Sequence, residues 1–272
     1  MTVSTEGGTF ADDRATPDGL LQTADRALQV LLCFDQQRTE WGVTEVAEEF
    51  GFNKSIAQRL LATLAHRGFL IADADTRRYR IGPSALALGR AWERSGSLRS
   101  LVDPILRELS ARTGATAILS LPDNLHMRAV AAVDGSNGPL RMYPLVGELY
   151  PAHAGATSKA FYAYLPAPQR QLLFAGRPVA RFTERTVTEA SALEAEFLRI
   201  RQQGYASTVG EYDSHVAAVA VLVSVRGEPY GSLSLAGPEE QFVNPAQHVP
   251  VLRHSAQQIE RRLTGRPRTR KD

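Results

Sequence analysis

Cysteine is almost absent from this sequence, because Cys33 is the only one among 272 residues. A disulfide framework and a thiolate zinc site both need several cysteines at set spacings, so both are excluded. A membrane-spanning helix needs about 20 apolar residues, whereas the longest apolar run, Val216 to Val223, is far shorter. The first residues carry acids and glycines where a signal peptide has basic and then apolar residues. We therefore expect a reducing, cytoplasmic location.

Residue patterns that would support catalysis are also missing. Thiol redox chemistry needs an attacking and a resolving thiol, and Cys33 alone cannot supply both. The histidines lack the short paired spacing of zinc ligands, and no glycine-rich phosphate loop followed by Lys-Ser or Lys-Thr occurs. We therefore predict that the protein is not an enzyme and needs neither a cofactor nor a metal ion.

The composition is that of a globular protein, with 43% hydrophobic and 22% charged residues. The length suits two domains of roughly 100 to 200 residues each. The net charge is only +2, and the stretch from Arg261 onward holds six basic residues against one acid. The global charge therefore does not indicate a polyanionic partner, and only local charge can.

Apolar residues recur at helical spacing after residue 20, and residues 1–20 show no such period. The segment TADRALQVLLCF predicts a first amphipathic helix. Its predicted buried residues are Ala24, Ala27, Leu28, Leu31 and Leu32.

Two further helices follow with a short turn between them. Thr44 is the predicted N-cap of the helix TEVAEEF, and Gly51 marks a sharp turn. Asn53 is the predicted N-cap of a third helix, NKSIAQRLLATLAHRG, which ends at Gly68. The predicted buried residues of the two helices are Val46, Ala47, Phe50, Ile56, Leu60, Leu61, Leu64 and Ala65. Two helices joined around a glycine predict a helix-turn-helix.

A hairpin comes directly after the third helix. The runs FLIAD and RYRIG read as short strands, and DADTR lies between them. This is where a winged helix-turn-helix has its wing. The segment PSALALGRAWERSG then predicts a connecting helix.

Charge is polarised within this first module. Residues 53–80 carry a net charge of +4, whereas residues 21–52 carry a net charge of −4. Only the third helix and the wing would therefore face a phosphate backbone. Lys54, Ser55, Ala57, Gln58 and Arg59 are predicted to lie on the exposed first turns of the third helix. There Gln58 can pair with adenine, and Lys54 or Arg59 can reach guanine or phosphate.

The second half of the chain predicts a sheet with flanking helices. A helix, LRSLVDPILRELSARTG, precedes the strand-like runs ATAILSLP and HMRAVAAVDG, and later VAAVAVLVSV, PYGSLSLAG and a closing helix. Antiparallel strands with segregated helices indicate an α+β domain.

The order of these motifs resembles the isocitrate lyase regulator (IclR) family of bacterial transcription factors. The resemblance runs from DRALQVLLCF and TEVAEEFGFNKSIAQRLLATLAHRGFL through YPAHAGATSKAFYAYLP and GYASTVGEYDSHVAAVAVLVSVRGEPYGSLSLAGP, covering about Leu21 to Leu263. It implies a winged helix-turn-helix, a linker helix and an effector-binding domain of GAF-like fold. It also implies dimers or dimers of dimers on palindromic double-stranded operator DNA.

The residue patterns and the resemblance together give the boundaries and the DNA contacts. We expect a disordered tail at 1–20, a DNA-binding domain at 21–82, a linker helix at 83–98, an effector-binding domain at 99–264 and a basic tail at 265–272. The predicted DNA-binding residues are Thr44, Lys54, Ser55, Gln58, Arg59, Arg77, Arg78 and Arg80. Arg77 departs from the family, which usually has glycine at this turn, so a positive φ costs more here.

The effector positions that the resemblance implies are Gly155, Ala156, Thr208, Ala218, Ser234 and Ala236, with Tyr143, Leu145 and Val219 as apolar walls. Backbone N–H groups of a glycine loop together with hydroxyls suit a carboxylate. Ala218 and Ala236 replace polar residues of the family. We therefore expect a small organic acid that is larger or less polar than a two- or three-carbon keto acid, for instance an aromatic or alicyclic catabolite.

Two alternatives remain open from the sequence. Thr208 and Ser234 can be ordinary strand residues beside a vestigial pocket. The chain can also be a non-enzymatic adaptor whose basic hairpin meets a protein or a membrane rather than DNA. A regulator would control a catabolic operon, and its operator position would decide between repression and activation.

Overall fold

The computed structural model describes residues 21–34, 38–94, 98–135, 146–174 and 179–265. The chain divides into two compact units between Gly96 and Ser97, and each unit is described separately. The two predicted tails lie outside the described residues, except for Gly265.

The first unit is a winged helix-turn-helix. Its elements are α1 (Gln22–Leu32), β1 (Glu40–Gly42), α2 (Val43–Glu49), α3 (Lys54–His66), β2 (Leu70–Ala72), β3 (Arg78–Ile81) and α4 (Pro83–Arg94). β3 lies between β1 and β2 in an antiparallel sheet, so β2 and β3 form the predicted wing. β1 was not predicted, because a strand of three residues is too short to show an alternating pattern.

The core of this unit lies between α1, α2, α3 and the sheet. Trp41, Val46, Leu61 and Leu70 are almost fully buried, and Cys33 packs with them. Burial of these side chains supplies most of the stability of so small a unit.

The predicted buried face of α1 is partly wrong. Leu28 is 58% and Leu32 is 64% exposed, whereas Val30 is fully buried. The helix carries apolar residues on two stripes, and helical spacing alone does not show which stripe meets the core.

The predicted N-cap of α2 is also wrong. The helix begins at Val43 with Gly42 as its N-cap, and the Gly42 N–H donates to Glu45 Oε2 at 2.7 Å. Thr44 lies inside the first turn, and its side chain is exposed. A glutamate three residues after a cap residue often satisfies the cap N–H, so Glu45 was the better signal.

The second unit has the predicted α+β architecture. Its helices are α5 (Leu98–Thr113), α6 (Ala156–Tyr162), α7 (Ala167–Gln171), α8 (Ala190–Gln203) and α9 (Val249–Thr264). Its strands are β4 (Thr116–Asp123), β5 (His126–Val133), β6 (Leu149–Pro151), β7 (Ala206–Val209), β8 (Val216–Val225) and β9 (Glu228–Pro238). They form an antiparallel sheet in the order β6-β5-β4-β9-β8-β7.

Each face of this sheet carries its own core. Odd-numbered residues of β8 and β9, such as Val219 and Leu235, pack with α5 and α9. Even-numbered residues, such as Ala218 and Ala236, pack with α6 and α8. The alternation follows from the two-residue period of a strand. It places small side chains on the face toward α6, which leaves room for a cavity.

Candidate nucleic-acid interface and ligand cavity

The first turn of α3 presents polar side chains to solvent. Asn53 caps the helix as predicted, because its Oδ1 accepts the Ile56 N–H at 3.0 Å and the Ser55 hydroxyl at 2.9 Å. Lys54, Gln58 and Arg59 are exposed. A capped helix end with exposed amide and cationic side chains has the shape and chemistry to enter a major groove.

Two residues on this helix behave differently from the prediction. Ala57 is fully buried and cannot contact a partner, because its Cβ packs into the core of the unit. Gln58 Nε2 lies 3.2 Å from the hydroxyl oxygen of Tyr79 on β3, to which it donates. This hydrogen bond ties α3 to the wing and leaves the Gln58 carbonyl as an acceptor.

The tip of the wing is ordered by Asp73. Its Oδ1 accepts the N–H groups of Asp75 and Thr76, each at 2.9 Å. These donors lower the pKa of Asp73, so its carboxyl is ionised at neutral pH. Arg77 takes φ = +56° at the end of the turn, which is the left-handed conformation expected there. Its side chain and that of Arg80 are exposed.

Arg78 is held by acidic side chains of its own unit rather than presented at the tip. Its guanidinium lies 2.9 Å from Glu45 and donates to the Glu40 carbonyl at 3.1 Å. Arg38 also pairs with Glu45 at 2.9 Å and stacks over the Trp41 ring at 3.4 Å. Partial burial raises the pKa of Glu45, but the Gly42 N–H and the two arginines outweigh this and lower it overall. A DNA phosphate would therefore have to compete with Glu45 for the Arg78 guanidinium, which the sequence predicted to bind DNA.

In the second unit a cavity of about 230 Å³ opens between the sheet and the loop that precedes α6. Its described walls come from β4, β7, β8 and β9, from residues 154–157, and from the loop after β7. Ile118, Val216, Ala218 and Ala236 contribute apolar walls, and Tyr150 and Tyr212 also line the cavity, with Tyr212 beside Gly155. A cavity of this size, lined by apolar side chains together with hydroxyl and carboxylate groups, suits a small organic molecule.

The structure brings five of the six predicted effector positions together. Gly155, Ala156, Thr208, Ala218 and Ala236 all line the cavity. Ser234 lies beneath it, where its Oγ accepts the Thr157 hydroxyl at 3.0 Å.

The three predicted apolar walls are not found at this cavity. Val219 faces the opposite core and is fully buried there, because odd-numbered residues of β8 point toward α5 and α9. Tyr143 and Leu145 lie outside the described residues.

A buried ion network that the sequence did not reveal closes one end of the cavity. Lys159 of α6 is almost fully buried, and its Nζ lies 2.6 Å from both Glu196 Oε2 and Glu211 Oε2. Glu211 Oε2 also accepts the Gly155 N–H at 3.1 Å. Burial raises the pKa of Glu211, although Lys159 and Gly155 oppose this. The partners are far apart in sequence, so no local pattern could have indicated them.

Aromatic side chains cluster at the cavity. The rings of Tyr150 and Tyr212 meet edge to face at 5.8 Å, and Phe182 lies 5.0 Å from Tyr212. Burial raises the pKa of both tyrosines, so both phenols are protonated at neutral pH. His153 Nε2 lies 2.7 Å from the Ala180 carbonyl, to which it donates, and burial lowers its pKa. Neutral phenol groups therefore line the cavity together with the buried carboxylate of Glu211.

Other site types find no support among the described residues. No group of three or more histidine, cysteine, aspartate or glutamate side chains in the described ranges is arranged to hold a metal ion. No helix within those ranges is long and apolar enough to span a bilayer.

Comparisons with known proteins agree with both halves of this description. The IclR helix-turn-helix domain matches residues 23–74, and the domain described as bacterial transcriptional regulator IclR C-terminal matches residues 94–261. The second match alone covers more than half of the chain.

Similar proteins cover three quarters or more of the chain. The transcriptional regulator XynR of Escherichia coli is 31% identical over 204 residues, which are 75% of this chain and 81% of XynR. The crystal structure of an IclR-type regulator from Silicibacter sp. TM1040 is 28% identical with a TM-score of 0.81, covering 90% of this chain and 98% of that one.

A structure of lower identity carries a bound ligand. It is an IclR homologue from Microbacterium hydrocarbonoxydans in complex with 4-hydroxybenzoate, 22% identical with a TM-score of 0.70, covering 89% of this chain and 98% of that one. At this identity it shows the shared fold. Together with the two domain matches, these likenesses show that the chain belongs to the IclR family of bacterial transcriptional regulators, which are DNA-binding proteins and not enzymes.

Proposed function

We propose that two copies of this chain bind a palindromic operator in the cytoplasm, with α3 of each copy in successive major grooves. The observation that carries the proposal is the exposed, capped first turn of α3 with Lys54, Ser55, Gln58 and Arg59. Lys54 and Arg59 reach guanine or phosphate, and Gln58 reads a base edge while Tyr79 holds its amide. Thr44, exposed in the first turn of α2, adds a phosphate contact.

The wing completes the interface. Arg77 and Arg80 are exposed and contact phosphates or the minor groove. Glu48 and Glu49 keep the C-terminal end of α2 away from DNA, because like charges repel the backbone.

The cavity of the second unit binds the effector. We propose that a small organic acid with an aromatic or alicyclic skeleton occupies it, because apolar side chains form a large part of the cavity wall. Gly155, Ala156, Thr208, Ala218, Ala236 and, from below, Ser234 form its surroundings. The effector controls transcription of a catabolic operon by changing the affinity for the operator.

The linker helix carries the signal between effector and DNA. Leu86 and Leu88 are 59% and 58% exposed in this chain, as residues that pack against a second copy would be. We propose that residues 86–92 contact the partner copy and that the effector shifts the spacing of the two α3 helices.

Fluorescence anisotropy with the DNA upstream of the protein's own gene tests the proposal. Specific binding should exceed binding to scrambled DNA and should weaken steeply as salt rises. Equal affinity for both DNAs at every salt concentration contradicts operator recognition and favours an adaptor role.

A further inference from the structure

Two arginines of the first unit share one carboxylate. Arg38 Nη2 lies 2.9 Å from Glu45 Oε1, and Arg78 Nη2 lies 2.9 Å from Glu45 Oε2. Arg78 Nε also lies 3.7 Å from Glu40 Oε2. These four side chains, which we call the Glu45 cluster, join two positive charges to two negative charges. The Glu45 cluster is therefore neutral as a whole.

The Glu45 cluster lies beside the surfaces that the proposed function assigns to DNA. Arg78 comes two residues before Arg80 on β3, and the two-residue period of a strand places both on one face of the wing sheet. Glu45 follows Thr44 in the first turn of α2. DNA that contacts Thr44 and Arg80 therefore brings phosphates close to the cluster.

Glu45 is fixed in place before any DNA arrives. The Gly42 N–H donates to Glu45 Oε2 at 2.7 Å, so the same carboxylate caps α2. The Arg38 guanidinium stacks over the ring of Trp41, which is 2% exposed. A phosphate must therefore displace a carboxylate that already makes charge-assisted hydrogen bonds.

Burial does not withhold the two arginines from DNA. The side chains of Arg38 and Arg78 are 41% and 35% exposed, and that of Glu45 is 34% exposed. A guanidinium binds a carboxylate and a phosphate through the same planar set of donors, so it can exchange one for the other. The charge of Glu45 is therefore what keeps these two arginines from the phosphate backbone.

We propose that Glu45 is a positioning residue that limits the sequence-independent DNA affinity of the first unit, by holding Arg38 and Arg78 away from phosphate. Phosphate contacts carry no sequence information, so the limit applies equally to the operator and to other DNA. The net charge of +4 over residues 53–80 includes Arg78 and overstates the charge that the wing offers to DNA. This inference rests on the proposed placement of α3 and the wing against DNA.

Glu45→Gln tests the proposal, because glutamine can still accept the Gly42 N–H but carries no charge. Anisotropy titrations use the promoter fragment and scrambled DNA at four salt concentrations. For both DNAs we expect the slope of log affinity against log salt to become more negative by about 1, and affinity at about 0.1 M salt to rise at least about threefold. The ratio of the two affinities should stay as in the wild-type protein. A purely structural role of Glu45 would lower affinity, and unchanged or lowered affinity overturns the proposal.

Two further variants show whether the released arginines cause the gain. Glu45→Gln/Arg38→Ala/Arg78→Ala should lose the whole gain in affinity for scrambled DNA, and a gain that survives would overturn the proposal. Glu40→Gln removes the other acid of the cluster and leaves the cap of α2 intact. It should make the slope more negative by less than Glu45→Gln does, because Glu45 still holds both arginines. An unchanged slope in Glu40→Gln contradicts the role of the cluster without depending on the cap.

Glu108→Gln is the matched control. Glu108 Oε1 lies 3.6 Å from Arg112 Nη1 on α5, so this variant releases one arginine of the second unit and changes the net charge equally. Its slope and both affinities should equal those of the wild-type protein, because α5 has no part in the proposed DNA interface. A change as large as that of Glu45→Gln would assign the effect to net charge and overturn the proposal.

The two DNAs keep this inference separate from the proposed function. Equal affinity of the wild-type protein for the promoter fragment and scrambled DNA would contradict operator recognition. The scrambled-DNA titrations of Glu45→Gln and its controls would still decide whether Glu45 holds the arginines away from phosphate.

Discussion

At the scale of single residues, the buried lysine of the second unit is the most consequential side chain. Lys159 compensates two carboxylates from elements distant in sequence, Glu196 of α8 and Glu211 of the loop after β7. A buried ion pair adds little over an apolar replacement of all its members, but removing one member leaves an uncompensated charge. The stability of the second unit is therefore sensitive to a single substitution in this network.

We predict that Lys159→Met lowers the free energy of unfolding by about 3 kcal/mol, because it strands a buried carboxylate. Urea denaturation followed by circular dichroism measures the change. The control Lys54→Met removes an exposed lysine and should change stability by less than about 0.5 kcal/mol. Equal effects of the two substitutions would contradict a buried network.

His153 gives a pH dependence of known sign. Burial lowers its pKa in the folded state, so the unfolded chain binds the proton more readily as pH falls below about 6.5. The stability that the neutral imidazole contributes is present above that pH and is lost below it. Glu211, whose pKa is raised, acts in the opposite direction.

We predict that the unfolding midpoint of His153→Gln falls less steeply than that of the wild-type protein between pH 7 and pH 5. Glutamine can still donate to the Ala180 carbonyl but takes up no proton. Differential scanning calorimetry at several pH values compares the two slopes. A steeper decline in the variant would show that His153 is protonated in the folded state.

At the scale of elements, the wing places three arginines that are close together in the sequence in two different environments. Arg77 and Arg80 extend into solvent, whereas Arg78 pairs with Glu45 and the Glu40 carbonyl. The alternation along β3 would place Arg78 and Arg80 on one face. Only the pairing of β3 with β1 and the position of Glu45 tell them apart.

We predict that Arg77→Ala and Arg80→Ala each reduce the slope of log affinity against log salt for operator DNA by about 1. Arg78→Ala should leave that slope unchanged, because its charge is compensated within the protein. Anisotropy titrations at four salt concentrations measure the slopes. A slope reduced by Arg78→Ala as much as by Arg80→Ala would mean that DNA draws Arg78 away from Glu45.

The elements also show how far sequence reasoning reaches. The helices α2 and α3, the wing and the main strands of the second unit follow from period, caps and turn residues, which act within a few positions. β1 and the network around Lys159 depend on contacts between distant segments, and no local pattern encodes those. The exposed Leu28 shows the related limit that a helix with two apolar stripes does not reveal which one meets the core.

At the scale of the whole molecule, the proposed function requires a coupling free energy between operator binding by the first unit and effector binding by the second. About 1 to 3 kcal/mol changes operator affinity by 5- to 150-fold, and linkage requires that operator DNA change effector affinity by the same factor. The cavity positions were found by resemblance to a family rather than by local chemistry. The hydrogen bond from the Gly155 N–H to Glu211 became visible only in the structure, because the two residues are distant in sequence.

The central claim is that the first turn of α3 reads DNA. The most direct test is an anisotropy titration of the double variant Lys54→Ala/Arg59→Ala against the promoter fragment. The control is the double variant Arg107→Ala/Arg112→Ala, which removes two exposed charges from α5. We predict that the affinity of the α3 variant for the promoter fragment falls at least about 100-fold while its unfolding midpoint stays unchanged. The α5 variant should bind as tightly as the wild-type protein. Wild-type affinity in the α3 variant would contradict it.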